Sequence, residues 1–304
     1  MQYVILAAGH GTRFTSSGYR TPKPLLQSPG YSHTLLQGLA CFVDGAADHN
    51  DEVYVVLNSS TYAVASATGV MRTIPTPAGI QVVDYSVSPV ASALSCALSK
   101  LNPNEPVTFL DSDAIYAFDL RKKVEEVMNS YGDFGSLVVS GSYLYNELGG
   151  AGNFSYYPKI DDICKVNPFT VISTRVSPNP LPNDQLNIGV YVFKKALDFI
   201  NAACAYMSKN PGEEHLMPEV FKYHPSGVRA ALRLVEIVPS DALLGISSKM
   251  TQVIPYSSKS YTQGWAGVLL PWRPLGSPEE YTAYQDLVNT VRRKKTILSV
   301  VPND

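Results

Sequence analysis

A chain of 304 residues, 45% apolar and 16% charged, has the composition of an ordinary globular protein with a sizeable core, which excludes a disordered or fibrous one. Its net charge of −2, without an acidic or basic tail, excludes binding of nucleic acid by bulk charge; the run Arg292, Arg293, Lys294, Lys295 reads as a solvated helix end. Cys41, Cys96, Cys164 and Cys204 are scattered without metal-ligand or C-x-x-C spacing and read as reduced buried thiols.

The N-terminal MQYVILAAG is too short for a signal peptide and reads as a strand, and no run of about 18 apolar residues spans a membrane. Cytoplasm is the default expectation. Through the first half, YVILAA (3–8), EVYVVL (52–57), IQVVDY (80–85) and VTFLDS (107–112) read as buried strands. Between them TLLQGLACFV (34–43), ASALSCALSKL (91–101) and DLRKKVEEVM (119–128) have helical spacing, and SLVVSGS (136–142) extends the strand series. Segments 147–158 and 173–184, rich in Gly, Pro, Asn and Ser, read as loops flanking an extension of the sheet. NIGVYVFKKALDFINAACAYM (187–207) returns to strand then helix, EEHLMPEVFKY (213–223) reads as helix and RLVEIV (233–238) as strand. After a stretch without a legible pattern, SPEEYTAYQDLVNTVRRK opens a last helix, with Ser277 as its cap and Glu280 at the third position. Alternating strands and helices predict an α/β fold, a Rossmann-like, mostly parallel mixed sheet flanked by helices. One domain over 1–304 is expected, in two halves, 1–116 and 117–304, the second ending in the C-terminal helix.

Ligands of such sheets bind beyond the C-terminal ends of the strands, where the loop Ala7–Arg13 lies. Gly9 and Gly11 allow a tight turn whose backbone N–H groups suit an anion. It is not the dinucleotide fingerprint, whose third glycine would fall at Phe14, nor a Walker loop, since no Gly-Lys-Ser/Thr follows. VTFLDSDAIY, in turn, places two carboxylates, Asp111 and Asp113, at the end of the fourth strand, and Mg²⁺ favours a few carboxylates with phosphate oxygens and water.

The wider run AAG-x-GTR followed by PKPLL resembles the signature of the nucleotidyltransferases that make nucleotide sugars and related activated compounds. The resemblance extends over residues 2–286. GTRF…GY…PKPL, PVTFLDSDAIY, NIGVYVFKKALDFINAA and GEEHLMP make it similar to the capsular or surface-polysaccharide branch, and PLGSPEEY (274–281) is similar to the closing segment of the family as a whole. The resemblance implies a nucleotide-binding half over 1–116 and an acceptor-binding half over 117–304. It implies the nucleotide-diphospho-sugar transferase fold and an enzyme joining a nucleoside triphosphate (CTP, UTP or dTTP) to a phosphorylated sugar or small capsule-type metabolite, with release of pyrophosphate. The implied nucleotide site is Leu6, Ala7, Ala8, Gly9, Gly11 and Thr12. Arg13 would neutralise the departing pyrophosphate and Lys23 the charge on the α-phosphoryl oxygens. The implied Mg²⁺ ligand, for which Mn²⁺ would substitute, is Asp113, with Asp111 either behind it or as a second ligand. The acceptor would meet Lys165, Asn187, Gly189 and Glu213. The expected partners are these two substrates, with neither nucleic acid nor membrane, and a homo-oligomer is left open.

Two departures from the pattern bear on the acceptor. Pro274 stands where hexose enzymes carry a metal-binding aspartate, so that Glu213, Asp241 or nothing takes its place. Cys164 stands where a glutamate would hold sugar hydroxyls. The expected acceptor is therefore something other than a plain hexose-1-phosphate. Two other classes remain: a glycosyltransferase of the same architecture with a D-x-D metal site, and a non-catalytic nucleotide-binding paralogue.

Overall fold

Alternation along each central strand sends side chains to both faces of a sheet, and both faces here are apolar. In β1 (Gln2–Ala7) every residue is buried, Tyr3, Ile5 and Ala7 entering one hydrophobic cluster and Val4 and Leu6 the other. Such a strand must have helices on both sides.

The computed structural model describes residues 1–29, 31–74, 79–83, 88–140, 155–157, 172–173, 185–213, 215–225, 232–238, 241 and 271–300. After β1 come α1 (Thr12–Ser16), α2 (Leu35–Ala46), β2 (Glu52–Asn58), α3 (Ser59–Ala67), β3 (Gly79–Val83), α4 (Pro89–Lys100), β4 (Val107–Asp111), β5 (Ala114–Tyr116) and α5 (Leu120–Met128). Then follow β6 (Phe134–Ser140), β7 (Ser155–Tyr157), β8 (Ile172–Ser173), β9 (Gln185–Phe193), α6 (Ala196–Lys209), α7 (Met217–Val220), β10 (Leu232–Glu236), β11 (Trp272–Pro274) and α8 (Pro278–Val300).

The main sheet has the order β10-β6-β9-β4-β1-β2-β3. Its neighbours are parallel except at β9, which runs antiparallel to both β4 and β6. Helices α2, α3 and α5 pack on one face, while α4, α6 and α7 pack on the other. A third cluster, Phe14, Leu26, Leu35, Leu275, Tyr281, Tyr284 and Val288, joins the opening loop to α8. The predicted α/β fold, a mostly parallel mixed sheet flanked by helices, is the observed one.

Three local readings change. Ser155–Tyr157, inside the segment 147–158 read as loop, is the strand β7, paired antiparallel with β9. The helix expected over 213–223 is a single turn, Met217–Val220, running into a 3₁₀ turn at Phe221–Tyr223. Pro218 cannot donate inside a helix and fits its first turn, so the helix starts there. Of the three described cysteines only Cys96 is buried, its thiol pushed up to about 12 by burial; Cys41 is half-buried and Cys204 exposed. Cys164, Lys165 and the segment 174–184 lie outside the described residues. Among the described residues no helix is long and apolar enough to cross a membrane.

Candidate active site

The opening loop owes its shape to Gly11, whose φ of 62° lies in the left-handed region. From there Gly11 O accepts from Phe14 N (2.9 Å) and Thr15 N (3.1 Å), which starts α1. Asn58, at the end of β2, holds the loop from beneath: its Nδ2 donates to Ala8 O (2.9 Å) and Gly9 O (3.2 Å), while its Oδ1 caps α3 through Thr61 N (2.8 Å). Sequence reading missed this residue, although an Asn between a strand and a helix is itself a cap signal. Leu6, Ala7 and Ala8 are buried, Gly9, Thr12 and Arg13 exposed, and Gly11 half-buried.

Lys23 sits between Pro22 and Pro24 on the 3₁₀ turn Lys23–Leu25, with its Cβ only 3.3 Å from where a side chain on Gly11 would begin. Its stem is therefore held against the loop. Its Nζ lies 3.5 Å from Asp113 Oδ2 and 5.6 Å from the centre of the Phe14 ring. The lysine side chain is 12% exposed and that of Asp113 52%.

Asp111 ends β4, which lies between β1 and β9 with Asp111 opposite Leu6. Tyr191 Oη donates to Asp111 Oδ2 at 3.0 Å. Buried Tyr116 reaches both β4 and β9 with its hydroxyl, at 3.2 Å from Asp111 O and 2.9 Å from Ile188 O. Burial, and then the charge of Asp113, push the Asp111 carboxyl up to about 8, against the pull of the Tyr191 hydroxyl and the Lys23 ammonium.

Gly189 presses directly on Asp111. At its φ of 79°, an added Cβ would lie 2.8 Å from Asp111 Cβ. Gly189→Ala is expected to cost about 2–4 kcal/mol, combining left-handed backbone strain with overpacking. An unchanged urea midpoint in that variant would contradict this close contact. Asn187 lies on the same strand, β9, where its register with β6 shifts: its Oδ1 accepts from Gly189 N and Ser136 Oγ (both 3.1 Å), and its Nδ2 donates to Tyr191 Oη (2.7 Å).

The closing segment folds back onto this strand end. β11 pairs antiparallel with β5, Pro274 opposite Ala114, and Leu275 N donates to Asp113 O at 2.6 Å. The expected cap of α8 is present: Ser277 N donates to Glu280 Oε2 (2.9 Å) and Glu280 N to Ser277 Oγ (3.3 Å). That turn brings Glu280 beside Asp113, and burial followed by the Asp113 charge raises its carboxyl. Tyr281 Oη donates to Gln27 O (2.7 Å), and its ring meets Phe14 and Tyr19 edge-on at 6.1 Å each. Helix α8 is thus tied to the opening loop. Neither Glu280 nor Tyr281 was a sequence-level site candidate; the capping-box spacing gave the local geometry of Glu280, but not the partner across the fold.

A cavity of about 670 Å³ opens over these residues, with Arg13, Asp111, Asp113, Asn187, Gly189 and Glu280 among those lining it. Of the opening loop only Arg13 lines it; Leu6 to Thr12 do not. Glu213 is exposed after α6 and lines no part of it, and Asp241 is occupied elsewhere, 3.1 Å from Lys123 Nζ and accepting from Val238 N at 2.9 Å. Among the described residues no three His, Cys, Asp or Glu side chains are grouped to hold a metal, so the strand end offers the pair Asp111 and Asp113. A hard, oxygen-only pair fits Mg²⁺, which keeps waters and takes phosphate oxygens for its remaining positions.

No protein-family model and no curated protein sequence matches the chain. Solved structures do resemble it. A nucleoside-diphosphate-sugar pyrophosphorylase from Vibrio cholerae superposes with a TM-score of 0.60 at 15% identity, covering 93% of this chain and 99% of its own. A protein assigned as a glucose-1-phosphate thymidylyltransferase of Bacillus anthracis gives 0.59 at 15% identity, covering 95% of each chain. HddC from Yersinia pseudotuberculosis gives 0.56 at 13% identity, covering 94% of this chain and 98% of its own. The likeness is one of fold: the chain has the nucleotide-diphospho-sugar transferase fold.

Proposed function

We infer that the chain is a Mg²⁺-dependent nucleotidyltransferase of the surface-polysaccharide type, acting in the cytoplasm. It joins a nucleoside triphosphate (CTP, UTP or dTTP) to a phosphorylated sugar or small capsule-type metabolite and releases pyrophosphate. The observation that carries this reading is Lys23 Nζ within 3.5 Å of Asp113 Oδ2, beside a cavity that Arg13 and both aspartates line. Cations of a pyrophosphate-releasing motif and carboxylates of a cation site meet at the C-terminal ends of β1 and β4, where this kind of sheet binds ligands.

The chemistry assigned to these groups is phosphoryl transfer. An oxygen of the acceptor phosphate forms a bond to the α-phosphorus, the bond to the bridging oxygen of the β-phosphate breaks, and its electrons leave with pyrophosphate. The attacking phosphate is already ionised at neutral pH, so no general base is required, and no histidine is among the described residues lining the cavity. Lys23 stabilises charge on the α-phosphoryl oxygens and Arg13 the departing pyrophosphate. Asp113, with Asp111 beside it, would hold Mg²⁺ or Mn²⁺, which when bound neutralises phosphate charge and orients the triphosphate.

The acceptor follows from what is missing. Pro274 supplies no carboxylate and the polar atoms of Asn187 are occupied by protein partners, so these two positions give little purchase on sugar hydroxyls. A pyrophosphate-release screen should cross the four ribonucleotides and dTTP with phosphorylated sugars, polyols and amino alcohols. Turnover is expected with a phosphorylated acceptor other than glucose-1-phosphate. A kcat/KM for glucose-1-phosphate near or above about 10⁵ M⁻¹s⁻¹, an ordinary enzymatic value, would refute the acceptor assignment. No pyrophosphate from any pair would refute the activity.

A further inference from the structure

Asn187 and Tyr191 form a hydrogen-bonded chain whose direction is fixed by chemistry. An amide nitrogen only donates, so Asn187 Nδ2 gives one of its two protons to Tyr191 Oη at 2.7 Å. The single phenolic proton of Tyr191 then goes to Asp111 Oδ2 at 3.0 Å. At the far end, Ser136 Oγ and Gly189 N both donate to Asn187 Oδ1 at 3.1 Å, which sets the amide's orientation. Every donor points toward the carboxylate. Tyr191 is 1% exposed, and Gly189, at its positive φ, closes over the same aspartate.

We propose that Asn187, Gly189 and Tyr191 form a positioning device for Asp111, and through it for the Asp111–Asp113–Lys23 group, with Asn187 acting through Tyr191 and not by touching the acceptor. A carboxylate at the end of a strand is free to turn about two side-chain bonds. A bond from a buried phenol, itself oriented by an amide, fixes that rotation before substrate arrives, and geometry fixed in advance favours reaction. The assignment rests on the nucleotidyl-transfer reading of the site. It explains why the run is Asn-x-Gly-x-Tyr: the amide accepts from the glycine two residues on, and the tyrosine, four residues from the asparagine, returns to the same side of the strand.

Tyr191→Phe, Asn187→Ala and the double variant test it, with folding checked by thermal denaturation. Losing the phenolic bond to a carboxylate is expected to lower kcat about 10- to 100-fold, with both KM values within about threefold of the unmodified protein. Asn187→Ala should act the same way, leave the acceptor KM unmoved, and add nothing to Tyr191→Phe in the double variant. A second readout needs no turnover: Mn²⁺ binding to the ligand-free protein, followed by electron paramagnetic resonance, should weaken about 10- to 100-fold in Tyr191→Phe.

The assignment is overturned if kcat and Mn²⁺ affinity of Tyr191→Phe stay within about twofold of the unmodified protein, a change below what loss of one such bond produces. It is equally overturned if Asn187→Ala raises the acceptor KM independently of Tyr191. If the unmodified protein releases no pyrophosphate, the nucleotidyl-transfer reading fails separately and the Mn²⁺ measurement decides the role of Tyr191: binding weakened in the variant supports it, while binding unchanged in the variant, or undetectable in the unmodified protein, overturns it. Should Tyr191→Phe not fold, Ser136→Ala removes the far donor and carries the same test, with a smaller loss in kcat and Mn²⁺ affinity expected.

Discussion

Lys23→Ala is expected to reduce kcat by about 100- to 1,000-fold, the usual cost of removing one positioned charge stabiliser, while the melting temperature hardly moves. The two halves of this expectation have different sources. Lys23 faces Asp113, whose side chain is 52% exposed, so the ion pair is screened by water and adds little to folding. The turn that carries Lys23 is held by its neighbours: Leu25 N donates to Pro22 O at 2.8 Å and Leu26 N to Lys23 O at 3.1 Å, and none of these bonds needs the lysine side chain. Removing the side chain therefore leaves the loop in place but takes away a cation beside the reacting phosphate. Lys23→Arg is expected to recover only part of the loss, because the larger planar guanidinium does not fit a point-charge position against Phe14 and Gly11. Turnover by Lys23→Ala like that of the unmodified protein would remove Lys23 from the mechanism.

Asp113→Asn is expected to abolish turnover, by about three orders of magnitude or more, and Asp111→Asn to cost much less, about 10- to 100-fold. Asp113 is the more accessible carboxylate and the one that faces Lys23. Asp111 lies behind it, accepting from Tyr191, and an asparagine amide oxygen can accept the same bond. The stability effect should run the other way. The Asp111 carboxyl is pushed up to about 8 by burial and by Asp113, so its ionised form is disfavoured on folding. In the metal-free protein this group makes stability fall as pH rises from the ordinary carboxylate value of 3.8 towards about 8. Asp111→Asn removes that dependence and should leave the metal-free protein more stable at neutral pH. Melting curves against pH for the two variants check this, and a larger activity loss in Asp111→Asn would exchange the two roles.

The parts of the site legible in the sequence are those carried by local pattern. A glycine-bearing turn after a buried strand, an Asp-x-Asp at the end of another, and the Ser277–Glu280 spacing each encode their own geometry within a few residues. What escaped the sequence depends on partners far apart along the chain. Nothing in NIGVYVF states that this strand inserts antiparallel between β4 and β6, yet that insertion sets Tyr191 against Asp111 and Gly189 over it. Asn58 acts on a loop some 50 residues earlier. Pro274 advertised only the loss of a carboxylate, while in the fold its strand pairs with β5 and hands Glu280 to the neighbourhood of Asp113. The motif marks Asn187 as an acceptor contact but does not name the partners of its amide across the fold, Ser136, Gly189 and Tyr191.

The most direct measurement follows the two ends of the triphosphate separately. The nucleoside triphosphate and acceptor found by the screen are incubated with the protein and Mg²⁺, with the radiolabel at either the α- or the γ-phosphate. Nucleotidyl transfer predicts that the α-label appears in the product joined to the acceptor, that the γ-label appears only in pyrophosphate, and that chelating the metal stops both. Transfer of the γ-label to the acceptor, or α-label turnover undiminished by chelation, would contradict the account.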